Sequence, residues 1–500
     1  MSDKPARQRP RIFLLWGAVL SALFFYPLVG NLEYRPFMMW SPANTAELLL
    51  AFLLLAAILG ILARLAAMIP SERLRLVVFA SVCLIPFASF LSSLLHLLSL
   101  NFKVFLVGAE AFLRQHPSLG APPVLLGAAF AWICWRRSRA VLGLLQEALL
   151  ILSPVVLIAV VGVVRFGLGR RIVTEIRPAH APTASLESAP KAPKNIYIFL
   201  FDETSYDYLY ERGSVRSDFP NIKAFSEMSE NYHSALSAGT DTDTSIPGFL
   251  AGKRFHFLKG RHGALWDVPD SGPATPVDLD SVNIFRRARA SGYKTVVVGW
   301  YLAYCDKMFF GNSLDSCDSV SYYNHAAVTD GFSPLNPVYT VIMNWPRQFP
   351  FGLLQTPVYS IFHSKTVKKI HRLSTESFAI DGPVFEFIHF SIPHQPFVFD
   401  GDGFRPAQYP YLQNSENYIR QLRYVDRLFG ELLAELKKNG RFSNSDIMFI
   451  SDHAYRVMAK PGEKERIPLL LKRAGRIERR DLHGVVKAEE LLKELVESGR

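Results

Sequence analysis

The sequence predicts a chain in two parts: an N-terminal bundle of about five transmembrane helices, then an α/β domain whose sheet is covered by helices on both faces. Three observations predict it. Residues 1–171 contain long runs almost free of charge, residues 172–194 are rich in Pro, Ala and Ser, and residues 195–500 alternate short β-branched runs with helical periodicity. Five hundred residues also exceed one compact core, at roughly 150 residues per domain. The expected division is therefore 1–171 helical, 172–194 linker and 195–500 globular.

Charge follows the same division. Residues 1–171 carry 16 Lys and Arg against 6 Asp and Glu, a net +10, whereas residues 172–500 carry 39 against 38, a net +1. A nucleic-acid-binding domain carries its basic residues as a patch on a folded surface. The arginines of this chain punctuate apolar runs instead, which excludes nucleic acid as the partner.

A helix advances about 1.5 Å per residue, so crossing the hydrocarbon takes about 20 apolar residues. Runs at 12–29, 48–69, 76–100, 117–135 and 140–164 come close. The basic start (Lys4, Arg7, Arg9, Arg11) precedes an apolar run that leads into another such run, not into a soluble domain, so the first is read as an uncleaved span. Arg73, Arg75, Arg136, Arg137 and Arg139 fall in loops on the same side as that start, against Arg35, Lys103 and Arg114 on the other. The positive-inside rule then puts the N-terminus in the cytoplasm and everything after Val164 outside, with Arg165, Arg170 and Arg171 outvoted. Glu147 interrupts the last run. It could line a headgroup site or sit as a helix-end glutamate at the interface. The stretch 104–113 is too short to span and could lie along the surface.

Cys83 and Cys134 fall inside apolar runs and read as small buried hydrophobes. Cys305 and Cys317 lie in the polar half. An oxidising compartment would let them pair as a disulfide, the expectation set against two unrelated thiols.

Beyond the linker, strands buried on both faces are expected at 195–201, 294–300, 384–392, 446–451 and 467–472, where apolar and β-branched residues run together. Residues 416–438 have an apolar face at three-to-four spacing (Ile419, Leu422, Val425, Leu428, Phe429, Leu432, Leu433, Leu436) and stop at Asn439 and Gly440. In such a sheet, ligands gather at the carboxyl ends of the strands.

The first strand runs into Asp202, Glu203 and Thr204, and another ends in Asp452 and His453. Each pair alone reads as a cap or a solvated turn. Together at neighbouring strand ends they offer carboxylate oxygens and an imidazole nitrogen, a set suited to zinc or manganese. A third segment, 237–252, places Thr240, Thr242, Thr244 and Ser245 ahead of an apolar stretch, as a loop entering a helix would. Hydroxyls there either cap the helix or meet an anion at its free N–H groups, and metal coordination makes a threonine a usable nucleophile.

These segments resemble the membrane-anchored enzymes of the sulfatase branch of the alkaline-phosphatase superfamily, including phosphoethanolamine transferases and lipoteichoic acid synthases, and a group of uncharacterised multi-span sulfatase-like proteins. The resemblance covers spans, linker and globular domain. Residues 239–247, GTDTDTSIP, are similar to a Gly-Thr-x-Thr-x-x-Ser-Val-Pro pattern whose second threonine is the nucleophile, a role that falls on Thr242. The family's acidic metal ligand falls on Glu203, with Asp202 beside it, and its Ser-Asp-His signature on Ser451, Asp452 and His453. A histidine in a Pro-His-x-Pro context, near the substrate or a second metal, falls on His394.

The resemblance implies a mixed sheet and one or two divalent ions, zinc or manganese. It also implies a multi-pass protein of the bacterial inner membrane whose catalytic domain acts outside the cytoplasm on a membrane lipid or envelope glycan. Two departures stand out. Ala454, followed by Tyr455 and Arg456, occupies the place of the family's glycine, and a later histidine has no counterpart before IPLLL. Arg456, Lys460, Lys464 and Arg466 lie in that stretch, and could hold a phosphate or form a solvated loop.

Sulfatases proper oxidise the first residue of a Cys/Ser-x-Pro-x-Arg pattern; Phe249 stands at the arginine position, which disfavours sulfate-ester chemistry. No Gly-x-x-x-x-Gly-Lys-Ser/Thr loop is present. The expected function is metal-dependent transfer or hydrolysis of a phospho-group through Thr242. A periplasmic hydrolase of sulfuric or phosphoric esters and a non-catalytic envelope-binding protein are the alternatives.

Overall fold

The computed structural model describes residues 10–29, 42–97, 129, 131–169, 194–261, 264–306, 309–320, 332–343, 352–407, 409–455 and 464–497. They divide into two compact units.

The helical unit contains α1 (Pro10–Val29), α2 (Pro42–Ala67), α3 (Glu72–Leu97), α4 (Ser138–Ile151) and α5 (Pro154–Gly169). Among the described residues, Arg11–Leu28, Asn44–Ala67, Glu72–Leu91 and Ser138–Val164 are long and apolar enough to cross a membrane. They coincide with four of the five expected runs; 117–135 lies mostly, and 104–113 wholly, outside the described residues.

The span of α1 is 67% buried in protein against 22–28% for the others, so α1 is the centre of the bundle. Its Trp16, Val19, Leu20 and Leu23 pack with Leu59 and Ala63 of α2 and with Phe79 and Cys83 of α3. A Cβ on Gly17 would stand 2.1 Å from the Ala56 carbonyl oxygen, so the α1–α2 crossing requires glycine there. Leu53, Leu62, Leu65 and Leu157 point outward, as a lipid-facing surface demands. Glu147 is exposed on α4, and Cys134 is half-buried.

Residues 332–343, expected from sequence within the globular part, also pack inside this unit. The buried Glu47 carboxylate accepts hydrogen bonds from the Ser333 N–H at 2.7 Å and the Asn336 amide at 2.8 Å.

The second unit is built on one eight-stranded mixed sheet: β1 (Asn195–Phe201), β2 (Glu230–Leu236), β3 (Lys294–Trp300), β4 (Ser316–Val320), β5 (Val384–Phe390), β6 (Ser445–Ile450), β7 (Arg466–Lys472) and β8 (Arg480–Lys487). The spatial order is β8-β2-β7-β6-β1-β5-β3-β4. Strands β6, β1, β5, β3 and β4 are parallel, β7 is antiparallel to both β6 and β2, and β8 is parallel to β2.

All seven residues of β1 and of β5 are buried, which is what their unbroken apolar runs require of central strands. On one face of β1, Ile196, Ile198 and Leu200 join Ile246, Phe249 and Leu250 of α6 (Thr242–Ala251) in a common core. On the other, Phe199 and Phe201 meet Phe429 of α7 (Ser415–Lys438) edge-on. The expected 384–392 strand is shorter, because the ladder ends at Phe390 before two cis prolyl bonds at Pro393 and Pro396.

Candidate active site

Strands β1, β6 and β5 lie side by side and point the same way, so the residues that follow them emerge together. Asp202 and Glu203 follow β1; Ser451, Asp452 and His453 follow β6; His394 lies in the loop after β5. Thr242 opens α6, at the positive end of the helix dipole. Asp202, Glu203, Asp452 and His453 are almost fully buried, and Thr242 is 8% exposed.

Asp452 is the hub. One carboxylate oxygen accepts the Glu203 N–H at 3.0 Å and the His453 N–H at 2.9 Å; the other accepts the Thr242 hydroxyl at 2.7 Å. Burial pushes this carboxyl up, but the charge of the His453 and His389 imidazoles when protonated, with the Glu203 N–H and the Thr242 hydroxyl in either state, holds it below the usual carboxylate range. His453 Nδ1 lies 3.0 Å from the Ala454 carbonyl, which as an acceptor fixes Nδ1 as the protonated nitrogen. Nε2 then presents its lone pair inward, 3.3 Å from both the Thr242 hydroxyl and the Asp452 carboxylate.

Asp202, Asp452 and His453 each offer one ligand atom, and these atoms all lie within 4.8 Å of one another. Two carboxylate oxygens and a lone-pair nitrogen packed this closely away from water repel one another unless a cation sits between them. The donor set therefore fits a divalent ion such as zinc, with the Thr242 oxygen at its edge. Glu203 adjoins this group and has a left-handed backbone, φ 64°, a conformation few residues other than glycine adopt.

His394 is half-buried, with its main-chain N–H donating to the Asp202 carbonyl at 3.2 Å and Nδ1 2.6 Å from the Gln395 carbonyl. Lys464 is exposed, and its contribution is a backbone carbonyl that accepts the Ala454 N–H. Arg456 and Lys460 lie outside the described residues. Arg466 is engaged elsewhere, donating to the His233 carbonyl and covering the Tyr206 ring. Cys305 and Cys317 form a disulfide between the loop after β3 and the start of β4.

Sequence reasoning missed several groups around this hub. His389 on β5 is fully buried, held neutral by burial at a value of about 4, with Nδ1 2.9 Å from the Tyr304 hydroxyl. A histidine inside an otherwise apolar strand was the available signal. Tyr301 reaches Asp243 at 3.4 Å, and Tyr418 of α7 reaches the backbone around Glu203; an aromatic in a core pattern gives no such signal.

The chain belongs to the Sulfatase family, whose model matches residues 194–497. No curated protein matches it. Similar solved structures include a phosphonate monoester hydrolase from Silicibacter pomeroyi, with 13% identity and a TM-score of 0.42 over 61% of this chain and 73% of that one. Another is an alkaline phosphatase superfamily protein from Vibrio parahaemolyticus, with 18% identity and a TM-score of 0.40 over 62% and 68%. The lipoteichoic acid synthase LtaP from Listeria monocytogenes shows 14% identity and a TM-score of 0.38 over 61% and 72%. The protein is thus a sulfatase-family hydrolase or transferase carrying apolar N-terminal helices suited to membrane anchoring.

Proposed function

We propose that this protein is a divalent-metal-dependent enzyme that moves a phospho-group from an envelope lipid or glycan through a covalent adduct on Thr242. The observation that carries the reading is the Thr242 hydroxyl at the start of α6, 2.7 Å from Asp452 and 3.3 Å from His453 Nε2. Zinc or manganese held by Asp202, Asp452 and His453, with Glu203 adjoining, would act as a Lewis acid on that hydroxyl and on the phosphoryl oxygens; one or two ions could be used.

Asp452 accepts the hydroxyl proton's hydrogen bond and orients the oxygen. The Thr242 oxygen attacks phosphorus as its proton passes to Asp452, with which it is hydrogen-bonded, and on to solvent; the Oγ–P bond forms, and the bond to the departing alcohol breaks as that alcohol takes a proton. His394, tied through its backbone to Asp202, is the candidate acid or base. An acceptor hydroxyl or water then attacks phosphorus, releasing Thr242, which regains its proton. The positive end of the α6 dipole favours the anionic phosphoryl group throughout. Arg456, Lys460 and Lys464 are candidates for holding substrate.

The loop arginines and the disulfide support a multi-pass protein of the cytoplasmic membrane with this domain outside, where lipid headgroups are within reach. Thr242→Ala is expected to abolish turnover, a loss of at least about a thousandfold. It should also remove any phospho-adduct from the peptide spanning Ser237 to Arg254 in intact-protein and peptide mass spectrometry. An adduct or activity that persists in the variant overturns the assignment.

A further inference from the structure

We propose that Tyr418 and Tyr455 form a positioning pair that sets Glu203 in place for metal binding, an inference that rests on the metal reading above. Glu203 holds φ at 64° and is 3% exposed. A non-glycine residue keeps such a conformation only where its surroundings over-determine it. Two anchors do so. Its N–H donates to Asp452 at 3.0 Å, and its carbonyl accepts the Tyr418 hydroxyl at 2.8 Å. The same hydroxyl accepts the Ser205 N–H at 2.8 Å, so one oxygen brackets Thr204 from both sides.

Tyr418 comes from α7, 215 residues along the chain from Glu203, and is fully buried. Its ring stacks on Tyr455, with centroids 4.2 Å apart and planes 13° from parallel. Tyr455 stands two residues after His453. The strand end that supplies Asp452 and His453 therefore also backs the side chain that clamps Glu203. The two metal-bearing segments are thereby locked to each other through an aromatic stack. Tyr208 meets the Tyr418 ring edge-on at 4.9 Å.

The two tyrosines contribute differently. Tyr418 works through its hydroxyl. Tyr455 works through its ring, since its own hydroxyl is buried and makes no hydrogen bond among the described residues. Without the Tyr418 hydroxyl, Glu203 is free to relax toward negative φ, which turns its Cα–Cβ bond and shifts Asp202–Glu203 relative to Asp452.

The test uses full-length protein in detergent, stripped with EDTA, with thermal unfolding followed as MnCl2 or ZnCl2 is added. Wild type is expected to unfold at higher temperature as metal saturates it. Tyr418→Phe should raise the half-saturating metal concentration about tenfold or more. Tyr455→Ala should do the same, while Tyr455→Phe leaves it unchanged. The Tyr455 pair decides the matter even if Tyr418→Phe fails to fold. A purely structural role would lower the metal-free and metal-loaded transitions equally and leave half-saturation unmoved, which overturns the proposal. A wild type that shows no metal response overturns the metal reading and this inference with it.

Discussion

At Glu386, on β5, burial works against ionisation. The carboxyl is pushed up to about 8 from its usual 4.5 by loss of hydration, with a Ser377 hydrogen bond pulling the other way. Because the folded value lies above the unfolded one, its contribution to stability is complete below about pH 4.5 and is lost as pH rises through about 8. Glu386→Gln should therefore gain on wild type by up to a few kcal/mol between about pH 5 and 8, read from unfolding curves across that range; parallel curves would contradict it. At this scale the sequence disclosed chemical identity better than environment. Asp202, Glu203, Thr242, Asp452 and His453 were visible as residue types able to bind metal or act as nucleophile, whereas the raised carboxyl of Glu386 depends on what surrounds it.

At the scale of elements, β3 shows how a strand end shapes the site. A Cβ on Gly299 would stand 2.5 Å from the Tyr304 ring, whose hydroxyl lies 2.9 Å from His389. Gly299→Ala is expected to cost about 1–3 kcal/mol in chemical denaturation by displacing that ring. Tyr304→Phe, which removes only the hydroxyl, should cost about 1 kcal/mol. A Gly299→Ala protein as stable as wild type would show that the ring can move freely.

The strands β1, β3, β5, β6 and β7 were legible because burial on both faces demands an unbroken apolar run. Edge strand β8, with every residue exposed or half-exposed, carries no such run and stayed hidden. Strand β2 is mostly buried, but its residues ENYHSAL mix polar and apolar types without a clear period.

For the whole molecule, the Cys305–Cys317 disulfide ties the globular unit to an oxidising compartment. Cells lysed with a thiol-blocking reagent should yield the Cys305 and Cys317 peptides linked in non-reducing mapping, and C-terminal reporter fusions should report a location outside the cytoplasm. Two blocked free thiols would argue for a reducing compartment. Replacing both cysteines with serine should lower stability by about 2–4 kcal/mol.

Apolar transfer energy accumulates residue by residue along the chain, so sequence alone determined the apolar helical part, the five strands with unbroken apolar runs and the amphipathic helix α7. The chemistry of the candidate site was likewise carried by residue identity. Only the tertiary structure decided that Glu203, Thr242 and Asp452 would meet, across separations of 210 and 249 residues. It also decided that α7 would lend a hydroxyl to the turn at Glu203, and that 332–343 would leave the globular unit for the helical one. Such convergence depends on strand order and loop path, which are set by packing among distant segments and leave no periodic trace in any one of them.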